Sequence, residues 1–368
     1  MLMKTKMRAA ILYEPKKPMV VEEITIDEPQ DHEVMVRLAA TGICHSDLLP
    51  IKGDVPQVYP VVVGHEGAGI VEKVGPGVTG VRPGDHVIIA CIYSCGKCHS
   101  CVGGQPSLCL ESLPWHLMGG LPGGGKRLHK GDQDLNIMYS QGSFAQYVVV
   151  HERQAFKVSP EAPLDTVCLF SCRLTTGIGA VANRAKVRAG DRIVVYGCGI
   201  VGLSVVMGAR LCGAGQIIAV DKIEERLKVA GELGATHTVN ASTENPQLKT
   251  IEITGRGADY AFECIGNAAV MMQAFGSIHA TGTCIVVGAT PAADMISLFP
   301  FELLFGKTLV GSFFGNLRQN DLPNYVDLYM QGRLPVEKLT ATFYSLDQIN
   351  EAVDAVDKAK VMRAVIRF

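Results

Sequence analysis

The hydrophobic positions in the first 150 residues fall into short runs that are rich in β-branched side chains. Glycine- and proline-containing segments such as GPGVTGVRPGD separate these runs. The pattern predicts β-strands joined by tight turns, and the runs are VVEEITI, HEVMVRLAATGI, AGIVEKVG, DHVIIACI and FAQYVVV. We therefore expect a barrel-like or sandwich-like β core in this part of the chain.

From about residue 174 onward, buried strand-like runs alternate with helix-like segments. The strand-like runs are DRIVVYG, QIIAVD, THTVN, ADYAFECIG and GTCIVVGA, and the helix-like segments are CGIVGLSVVMGARLCGA, KIEERLKVAGELGA and AAVMMQAFGSIHA. This alternation predicts a doubly wound parallel sheet. The final fifty or so residues are mixed in character and end on MRAVIRF, a predicted strand.

The composition narrows the classes of protein that these elements can build. The chain has 368 residues, 48% of them hydrophobic, and a net charge of −2. It is long enough for more than one core, and its charge is too near zero to attract nucleic acid or anionic lipid. No run approaches about eighteen uninterrupted apolar residues, and the N-terminus lacks a signal-peptide stretch, so we expect a cytoplasmic protein without a membrane span.

Four of the twelve cysteines lie within the segment CGKCHSCVGGQPSLC. In a cytoplasmic chain such clustering favours metal ligation over disulfides. Four thiolates fill the tetrahedral shell of zinc and leave no position for a substrate, so we interpret the set as a structural zinc site rather than a redox or iron–sulfur centre. Its members are Cys95, Cys98, Cys101 and Cys109.

A glycine motif of the form G-x-G-x-x-G, made by Gly197, Gly199 and Gly202, lies between a predicted strand and a predicted helix. These glycines allow a tight turn, close approach of a pyrophosphate and close packing of helix on strand. The free N–H groups at the start of the helix then face the phosphates. This arrangement predicts binding of a dinucleotide.

Asp221 ends the next predicted strand, nineteen residues beyond Gly202. A carboxylate there accepts hydrogen bonds from ribose hydroxyls and repels a 2′-phosphate, which favours NAD over NADP. Lys222 and Arg226 follow closely and weaken that preference. The alternative interpretation of Asp221 is a helix N-cap.

A catalytic zinc needs three protein ligands and an open fourth position. Candidate ligands lie in three separate segments: Cys44 in TGICHSD, His65 with Glu66 in VGHEGAG, and Cys172 in LFSCRLTTG. Spacing alone cannot unite residues that are so far apart in the chain. A lone cysteine or histidine is also more often an ordinary buried side chain than a ligand.

The sequence resembles the zinc-dependent medium-chain dehydrogenase/reductase family, and within it the long zinc alcohol dehydrogenases. The resemblance extends over nearly the whole chain, and the motifs that carry it, in family order, are GICHSD, GHEGAGIV, GDHVI, the four-cysteine lobe, SCRLTTGIGA, GCGIVGLS and VMRAVIRF. It implies an α/β fold in which a GroES-like β-rich catalytic domain surrounds an inserted Rossmann domain. The implied ranges are 1–173 with a structural zinc lobe at about 91–112, then 174–312, then 313–368 returning to the catalytic domain.

The resemblance also implies roles for individual residues around a catalytic zinc. Cys44, His65 and Cys172 would be its ligands, with Glu66 as a nearby carboxylate that can exchange at the metal. Asp47 would orient His65 through its other ring nitrogen. Ser46 would contact the alcohol and begin a proton relay. Relatives often end that relay in a histidine where this chain has Leu49, so His45 and the ribose hydroxyls of the cofactor are the alternative outlets.

The resemblance further implies the contacts of NAD and of a substrate. The cofactor contacts that it implies, together with the neighbours of the glycine motif, are His45, Arg363, Asp221, Lys222, Arg226, Thr176, Ile200 and Val201. The implied substrate pocket is lined by Cys91, Trp115, Met138, Tyr139, Ala289 and Phe313. An apolar pocket favours a hydrophobic or aromatic primary or secondary alcohol. The flanking segment 111–142 is expected to be irregular and mobile, with Lys126, Arg127 and Lys130 on its solvated surface.

Several other functions are compatible with parts of the sequence. The nearest is a dehydrogenase or reductase acting on S-hydroxymethyl or S-nitroso conjugates of a small thiol, which needs a cationic anchor. A zinc-ribbon protein for nucleic acid conflicts with the neutral charge, and a zinc-free quinone reductase conflicts with the presence of all three candidate ligands. We expect a homodimer or homotetramer, joined near the segment GTCIVVGATPAADMISLFP.

Overall fold

The computed structural model describes residues 4–368. The chain divides into two compact units. The first contains the described residues up to Cys172 together with Arg318–Gln331 and Thr340–Phe368, and the second contains Arg173–Leu317 and Gly332–Leu339. The short return of the chain to the second unit at 332–339 was not predicted from the sequence; its apolar side chains Leu334, Val336 and Leu339 are buried.

The N-terminal part of the first unit is mostly β-structure, as its short β-branched runs predicted. Its strands are β1 Lys4–Leu12, β2 Val20–Asp27, β3 Glu33–Gly42, β4 Val61–Val62, β5 Glu66–Val74, β6 His86–Ile89, β7 Leu128–Lys130, β8 Gln133–Ile137, β9 Tyr147–His151 and β10 Ala155–Lys157. Its helices are short: α1 His45–Lys52, α2 His99–Val102, α3 Leu113–Met118 and α4 Leu164–Val167.

These strands form a closed barrel and a larger sheet. The barrel order is β1-β2-β7-β8-β4, and its interior is filled by apolar side chains such as Ile24, Ile26 and Leu135. In the larger sheet β5 pairs with β3 so that Glu66 lies opposite Gly42. That register brings the start of β5 beside the end of β3, where α1 begins.

The segment 111–142 is more regular than its glycines suggested. It contains α3 and the hairpin of β7 and β8, and the short parallel pairing of β8 with β4 closes the barrel. Gly119 ends α3 in the left-handed conformation, and Gly131 makes the hairpin turn with φ of 59°. The glycines therefore serve as turns within a folded segment, and the strand pairing that orders it is long-range and invisible in the local pattern.

The second unit alternates helices and parallel strands. Its elements in chain order are α5 Arg173–Gly179, a π-helix at Ala180–Ala185, β11 Arg192–Tyr196, α6 Ile200–Leu211, β12 Gln216–Asp221, α7 Glu224–Leu233, β13 His237–Asn240, α8 Pro246–Thr254, β14 Ala258–Glu263, α9 Ala268–Gly276, β15 Ile278–Val286, α10 Pro300–Leu304 and β16 Thr308–Gly311. The sheet order is β13-β12-β11-β14-β15-β16, all parallel. This is the strand order of a doubly wound dinucleotide-binding fold, which confirms the predicted fold class.

One predicted element of this unit has the wrong length. The helix predicted over AAVMMQAFGSIHA ends at Gly276, and β15 begins at Ile278. Ser277 caps the helix end by donating its hydroxyl to the Gln273 carbonyl (2.9 Å). The apolar residues beyond it therefore belong to a buried strand, which a short run cannot distinguish from a buried helix by period alone.

The C-terminal residues 318–331 and 340–368 complete the first unit. They form α11 Asp321–Met330, β17 Ala341–Tyr344, α12 Ile349–Asp357 and β18 Arg363–Arg367. In the larger sheet β18 pairs antiparallel with β3, with Val365 opposite Gly42, and parallel with β17. The chain's last strand thus lies next to the strand that leads into α1.

A single helix of the length and apolar character of a membrane span does not occur within residues 4–368. One bent helix pair, Leu164–Ser171 with Arg173–Ala185, meets the criteria by length and composition alone.

Candidate active site

The end of β3 and the start of α1 form the first side of a buried polar cluster. Cys44 is the N-cap residue of α1, with an extended backbone. Asp47, in the first turn of the helix, accepts a hydrogen bond from the Cys44 N–H (2.8 Å) through Oδ2. This carboxylate satisfies a backbone donor that the helix itself leaves free, and it orders the segment that carries the cysteine.

The start of β5 supplies the second side of the cluster. The Nδ1 atom of His65 lies 2.7 Å from Asp47 Oδ1, and both side chains are fully buried. Because the carboxylate is an acceptor, Nδ1 carries a proton, and Nε2 is the ring atom left for another partner. That Nε2 atom is buried and has no hydrogen-bond partner among residues 4–368. A buried polar atom without a partner costs about 1–3 kcal/mol, and a bound cation would remove that cost.

Cys172 is the last residue of the N-terminal segment of the first unit and supplies the third side of the cluster. It follows a short 3₁₀ turn at Cys168–Ser171, and the Ser171 hydroxyl donates to the Gly67 carbonyl on β5 (3.0 Å). One ligand atom each from Cys44, His65, Glu66 and Cys172 lie within 4.8 Å of one another. The structure therefore brings together the three separate segments that spacing alone could not connect.

The thiols of this cluster favour the neutral form in the absence of a cation. The Cys172 sulfur and burial raise the pKa of Cys44 to about 12. Cys44 lowers the pKa of Cys172, but Cys91 and burial outweigh it and raise that pKa to about 11. Burial opposes the charged form of His65, yet Asp47 and the Cys172 sulfur raise its pKa well above the ordinary value.

The donor set fits zinc. Two cysteine sulfurs, one imidazole nitrogen and a carboxylate are the ligand types that zinc prefers, and three protein ligands leave a position for a substrate. The His65–Asp47 pair matches the carboxylate–histidine arrangement that orients zinc-bound imidazoles. Metal binding would replace the protons that the buried thiols otherwise retain.

A second cluster in the same unit consists of the four cysteines of the predicted lobe, Cys95, Cys98, Cys101 and Cys109. Their sulfurs lie within 4.8 Å of one another, with 3.9 Å between Cys95 and Cys101 and 4.0 Å between Cys98 and Cys109. A zinc tetrahedron with Zn–S distances of about 2.3 Å has edges of about 3.8 Å. The sulfurs are thus already close to the arrangement that a tetrahedral zinc requires.

Backbone N–H groups surround these sulfurs. Those of Cys101 and Leu110 lower the pKa of Cys98 to about 6. The Cys95 N–H lies 3.3 Å from the Cys109 sulfur, and the Cys98 N–H lies 3.3 Å from the Cys95 sulfur. All twelve cysteines of the chain are free thiols, so the lobe is not closed by disulfides. Burial opposes the charged form of Cys109, but backbone N–H donors lower its pKa as well, whereas burial raises the pKa of Cys95 and of Cys101. Two of the four thiols thus favour the thiolate, the form in which cysteine binds a metal.

The glycine motif of the second unit forms the turn between β11 and α6. Gly197 has φ of 91°, and Gly199 is the N-cap of α6. A Cβ on Gly202 would lie 1.7 Å from the Gly197 carbonyl oxygen, whereas a Cβ on Gly199 would meet no atom within 4 Å. The turn lies where the strand order reverses, which is the usual ligand position in such sheets. Gly202 is thus required for packing, and Gly199 leaves space above the helix start.

Asp221, at the end of β12, accepts hydrogen bonds from the backbone of this glycine turn and from the segment that follows β12. Its Oδ2 accepts from the Cys198 N–H (2.7 Å), and its Oδ1 accepts from the N–H groups of Lys222 and Ile223 (2.7 and 2.9 Å). The N-cap of α7 is Ile223, without a side-chain cap. The alternative interpretation of Asp221 as a helix N-cap is therefore wrong.

Comparison with known proteins identifies the family. Residues 30–160 match the family described as Alcohol dehydrogenase GroES-like domain, and residues 201–331 match Zinc-binding dehydrogenase. An S-(hydroxymethyl)glutathione dehydrogenase from Escherichia coli O1:K1 / APEC is 40% identical over 368 residues, covering 99% of this chain and 100% of the relative. The chain belongs to the zinc-dependent medium-chain dehydrogenase/reductase family.

Solved structures of zinc-dependent dehydrogenases share the whole fold. An alcohol dehydrogenase zinc-binding domain protein from Burkholderia ambifaria has a TM-score of 0.95 and 37% identity and covers 100% of both chains. A benzyl alcohol dehydrogenase from Acinetobacter calcoaceticus has a TM-score of 0.93 and 35% identity and covers 99% of both. The GroES-like and Rossmann architecture is therefore that of the family.

Other residues predicted for this dehydrogenase are distributed over both units. In the first unit, Ser46 is half-buried with Oγ 3.8 Å from the Cys44 sulfur, and Leu49 is also half-buried. His45 is exposed, and Arg363, at the start of β18, is buried. In the second unit, the predicted cofactor residues are Thr176 on α5, Ile200 and Val201 at the start of α6, and Lys222 and Arg226 after β12. Arg226 Nη1 lies 3.9 Å from Asp221.

The residues predicted to line a substrate pocket divide in the same way. Cys91 and Met138 are buried in the first unit, and burial raises the pKa of the Cys91 thiol. Trp115 and Tyr139 are partly buried in that unit, and the Tyr139 ring packs at 89° to His65 with centroids 5.0 Å apart. Ala289 and Phe313 belong to the second unit, and both are exposed.

Sequence reasoning missed one buried residue of this dehydrogenase beside the cluster. His116, on α3, is 3% exposed and packs at 86° to Tyr139 with centroids 6.2 Å apart. A histidine next to a tryptophan in a glycine-rich segment has no spacing motif that marks it. Only the pairing of α3 with the turn after β8 reveals its position.

Proposed function

We propose that this protein is a zinc- and NAD-dependent alcohol dehydrogenase that interconverts a hydrophobic or aromatic alcohol and its aldehyde or ketone. One observation carries the proposal. The His65 Nε2 atom is buried without a partner among residues 4–368, within 4.8 Å of ligand atoms from Cys44, Glu66 and Cys172. A cation is the simplest group to satisfy this donor set.

We propose two zinc ions per subunit with different tasks. The three ligands Cys44, His65 and Cys172 leave an open coordination position, as a catalytic zinc requires. The four lobe cysteines fill the shell of a structural ion, and the 3.9 and 4.0 Å sulfur separations support that assignment. Glu66 is buried beside the first set, where a carboxylate can exchange at the metal.

The reaction divides between the bound groups and the chain's own side chains. Zinc, when bound, lowers the pKa of a hydroxyl and polarises a carbonyl, and NAD accepts the hydride. Asp47 holds the His65 ring in the tautomer that keeps Nε2 free for a metal. We assign to Ser46 the removal of the hydroxyl proton, because its Oγ lies 3.8 Å from the Cys44 sulfur and its neighbour His45 is exposed to solvent.

We propose NAD rather than NADP as the cofactor. The Asp221 carboxylate lies at the end of β12 with its oxygens fixed by three backbone N–H groups. A fixed negative charge at this position of a dinucleotide fold favours ribose hydroxyls and repels a 2′-phosphate. Arg226, 3.9 Å away, reduces that charge without pairing closely with it.

The basic residues of the segment 111–142 support an uncharged substrate. Arg127 is only 11% exposed and makes two hydrogen bonds to Glu33 (2.8 and 2.7 Å), so its predicted location on the solvated surface is wrong. Lys130 pairs with Glu22 (2.6 Å), and Lys126 donates to the Asn136 side chain. Cations that already have partners are poor anchors for a charged conjugate.

The alternative function is oxidation of a thiol adduct. It is favoured by relatives 40% identical that are named S-(hydroxymethyl)glutathione dehydrogenase, whereas a structure 35% identical is a benzyl alcohol dehydrogenase. Both substrates present a hydroxyl to the same chemistry. The two substrate classes differ in the charge of the group that carries the hydroxyl. The basic residues of 111–142 already have partners, and this favours the uncharged alcohol.

Metal analysis combined with cofactor reduction tests the proposal. We expect two zinc ions per chain, one of which is lost in Cys44→Ser, and NAD reduction that is faster with benzylic and allylic alcohols than with polyols. A marked preference for polyols would reject the substrate class. Reduction of NAD by formaldehyde only when glutathione is present would favour the thiol adduct instead.

We also propose that the protein is a homo-oligomer joined through the second unit. Strand β16 ends the parallel sheet, and an edge strand offers unpaired backbone groups to a partner. Next to it in sequence lies a set of exposed apolar side chains: Met295, Phe299, Phe301, Leu304 and Phe305. Exposure of so many large apolar groups in one segment is characteristic of an interaction surface.

A further inference from the structure

Helix α3 contributes His116 to a buried hydrogen-bond network that also contains Ser140 and Gly120. The Nδ1 atom of His116 lies 3.1 Å from the Ser140 hydroxyl, and that hydroxyl donates to the Gly120 carbonyl (2.8 Å). A serine hydroxyl has one proton, and here it forms the hydrogen bond to the Gly120 carbonyl. His116 must therefore be the donor to Ser140, with its own proton on Nδ1.

Ser140, the last side chain of this hydrogen-bond network, lies in a backbone turn with an unfavourable conformation. Tyr139 and Ser140 follow each other with φ of 50° and 52°, in the left-handed region that costs a non-glycine residue about 1–2 kcal/mol. Such a conformation persists only when the surroundings hold it. The hydrogen bonds of Ser140 to His116 and Gly120 are contacts that hold it.

This turn carries Tyr139, whose ring packs against two imidazoles. The Tyr139 ring is nearly perpendicular to His65, at 89° and 5.0 Å, and to His116, at 86° and 6.2 Å. Asp47 restrains His65 only at Nδ1. The Tyr139 ring packs against the imidazole, so both contacts restrict the directions in which Nε2 can point.

We propose that His116 is a positioning residue for the candidate metal ligand His65, acting through Ser140 and Tyr139. The proposal rests on the proposed zinc site of Cys44, His65 and Cys172. A ring whose orientation is fixed before the metal arrives loses less conformational freedom on ligation, so the metal is held longer. Burial lowers the pKa of His116 to about 4, which agrees with a neutral donor at neutral pH.

Metal release to a chelator tests this role without any use of activity. The protein is loaded with zinc, mixed with excess chelator and followed by the absorbance of the chelator complex. Cys44→Ser identifies the kinetic phase that belongs to the Cys44, His65 and Cys172 site. We expect His116→Ala and Ser140→Ala to release that metal on the order of 10-fold faster, the lower end of the range for residues behind a ligand, with release from the four-cysteine lobe unchanged.

Two further variants separate positioning from general packing. His116→Asn keeps an N–H group near the position of Nδ1 and should restore release to within about threefold of the wild type. Met118→Ala, an exposed residue of the same helix, should release metal at the wild-type rate. In cobalt-loaded protein, the visible absorption bands of the site should shift in His116→Ala and return in His116→Asn.

The possible results distinguish this inference from the proposed function. Wild-type release in both His116→Ala and Ser140→Ala, with the phase absent from Cys44→Ser, would overturn the role of His116 and leave the zinc site intact. Equally fast release in His116→Asn and His116→Ala would show packing rather than positioning and would also overturn it. If Cys44→Ser loses no phase, the zinc site itself is wrong. Should His116→Ala fail to fold, Ser140→Ala and His116→Asn decide the question.

Discussion

At the scale of single residues, the carboxylate of Asp47 organises two of the candidate ligands at once. One oxygen accepts from the Cys44 N–H (2.8 Å) and the other from His65 Nδ1 (2.7 Å). Both Asp47 and His65 are fully buried, where an unpaired charge would cost several kcal/mol. The two side chains therefore stabilise the fold only as a pair, and their pairing keeps the His65 Nε2 atom free.

Ser46 and Cys109 should respond differently to substitution by alanine. If Ser46 begins the proton relay, Ser46→Ala removes a proton acceptor and should lower kcat by about 10²-fold or more, with metal content and melting temperature unchanged. Steady-state kinetics over a range of pH, with elemental analysis of the same sample, would measure this. A Ser46→Ala variant with normal kcat would exclude the assigned role.

Cys109→Ala is the matched comparison, because it alters the other cluster. Loss of one of four sulfur ligands should release the structural metal and lower the melting temperature, since structural zinc contributes folding free energy. The fraction that stays folded should keep its kcat. A stably folded Cys109→Ala variant with a large loss of kcat would contradict the division of the cysteines into two sites.

At the same scale, the residues of the candidate metal site could be grouped from the sequence only because of the family resemblance. Cys44, His65 and Cys172 are separated by up to 128 positions in sequence, from 44 to 172, and each is ordinary when considered alone. Their meeting depends on the pairing of β3 with β5 and on the contact of Ser171 with Gly67. Neither contact leaves a trace in local spacing.

At the scale of secondary-structure elements, the β11–α6 turn gives a test with its own controls. Gly202→Ala should destabilise the second unit, because its Cβ would lie 1.7 Å from the Gly197 carbonyl oxygen. Gly199→Ala meets no atom, so it should leave the melting temperature nearly unchanged but weaken NAD binding at least 10-fold if a pyrophosphate approaches there. Calorimetry and NAD titration would measure both effects.

Gly231 on α7 is the control for these two glycines. A Cβ there would also meet no atom within 4 Å, and alanine is favoured over glycine inside a helix by up to about 1 kcal/mol. Gly231→Ala should therefore be neutral or slightly stabilising, with unchanged NAD affinity. Equal NAD affinity in Gly199→Ala and Gly231→Ala would argue against cofactor binding at the turn.

Helix α3 should impose a pH dependence on stability through His116. Burial lowers the pKa of His116 to about 4, below the unfolded value of about 6.5. The unfolded chain therefore binds the proton first, so stability is full above about pH 6.5 and declines as the pH falls towards 4, by up to about 3 kcal/mol. His116→Asn should lose this part of the decline in denaturant titrations, whereas exposed His237→Asn should keep it.

The elements themselves were predictable to different degrees. The alternation after residue 174 predicted the order of strands and helices around β11 to β14, because buried parallel strands and amphipathic helices have distinct periods. The elements between 98 and 140 were missed, because α2, α3, β7 and β8 are short and depend on contacts with distant segments. Tertiary pairing, rather than intrinsic propensity, decides such elements.

At the scale of the whole molecule, the exposed apolar segment around α10 predicts the oligomeric state. Phe301 is 66% exposed and packs on Phe305, and its helix comes just before the edge strand β16 in sequence. If this surface joins subunits, Phe301→Glu would bury a charge at the interface and should convert the oligomer to monomer in light scattering at micromolar concentration. Leu248→Glu on α8, also 66% exposed, should leave the mass unchanged. A monomeric wild type would refute the proposed assembly.

The chain by itself determined the local features of this protein: the β-rich beginning, the alternating second unit, the four-cysteine lobe and the glycine turn. Each depends on residues that are close in sequence, so period and spacing predict it. Only the tertiary structure decided that Cys44, His65, Glu66 and Cys172 meet, that β18 returns to pair with β3, and that His116 lies behind Tyr139. These are long-range contacts, made when hydrogen-bonded strands and buried side chains find partners far along the chain, and short-range pattern carries no record of them.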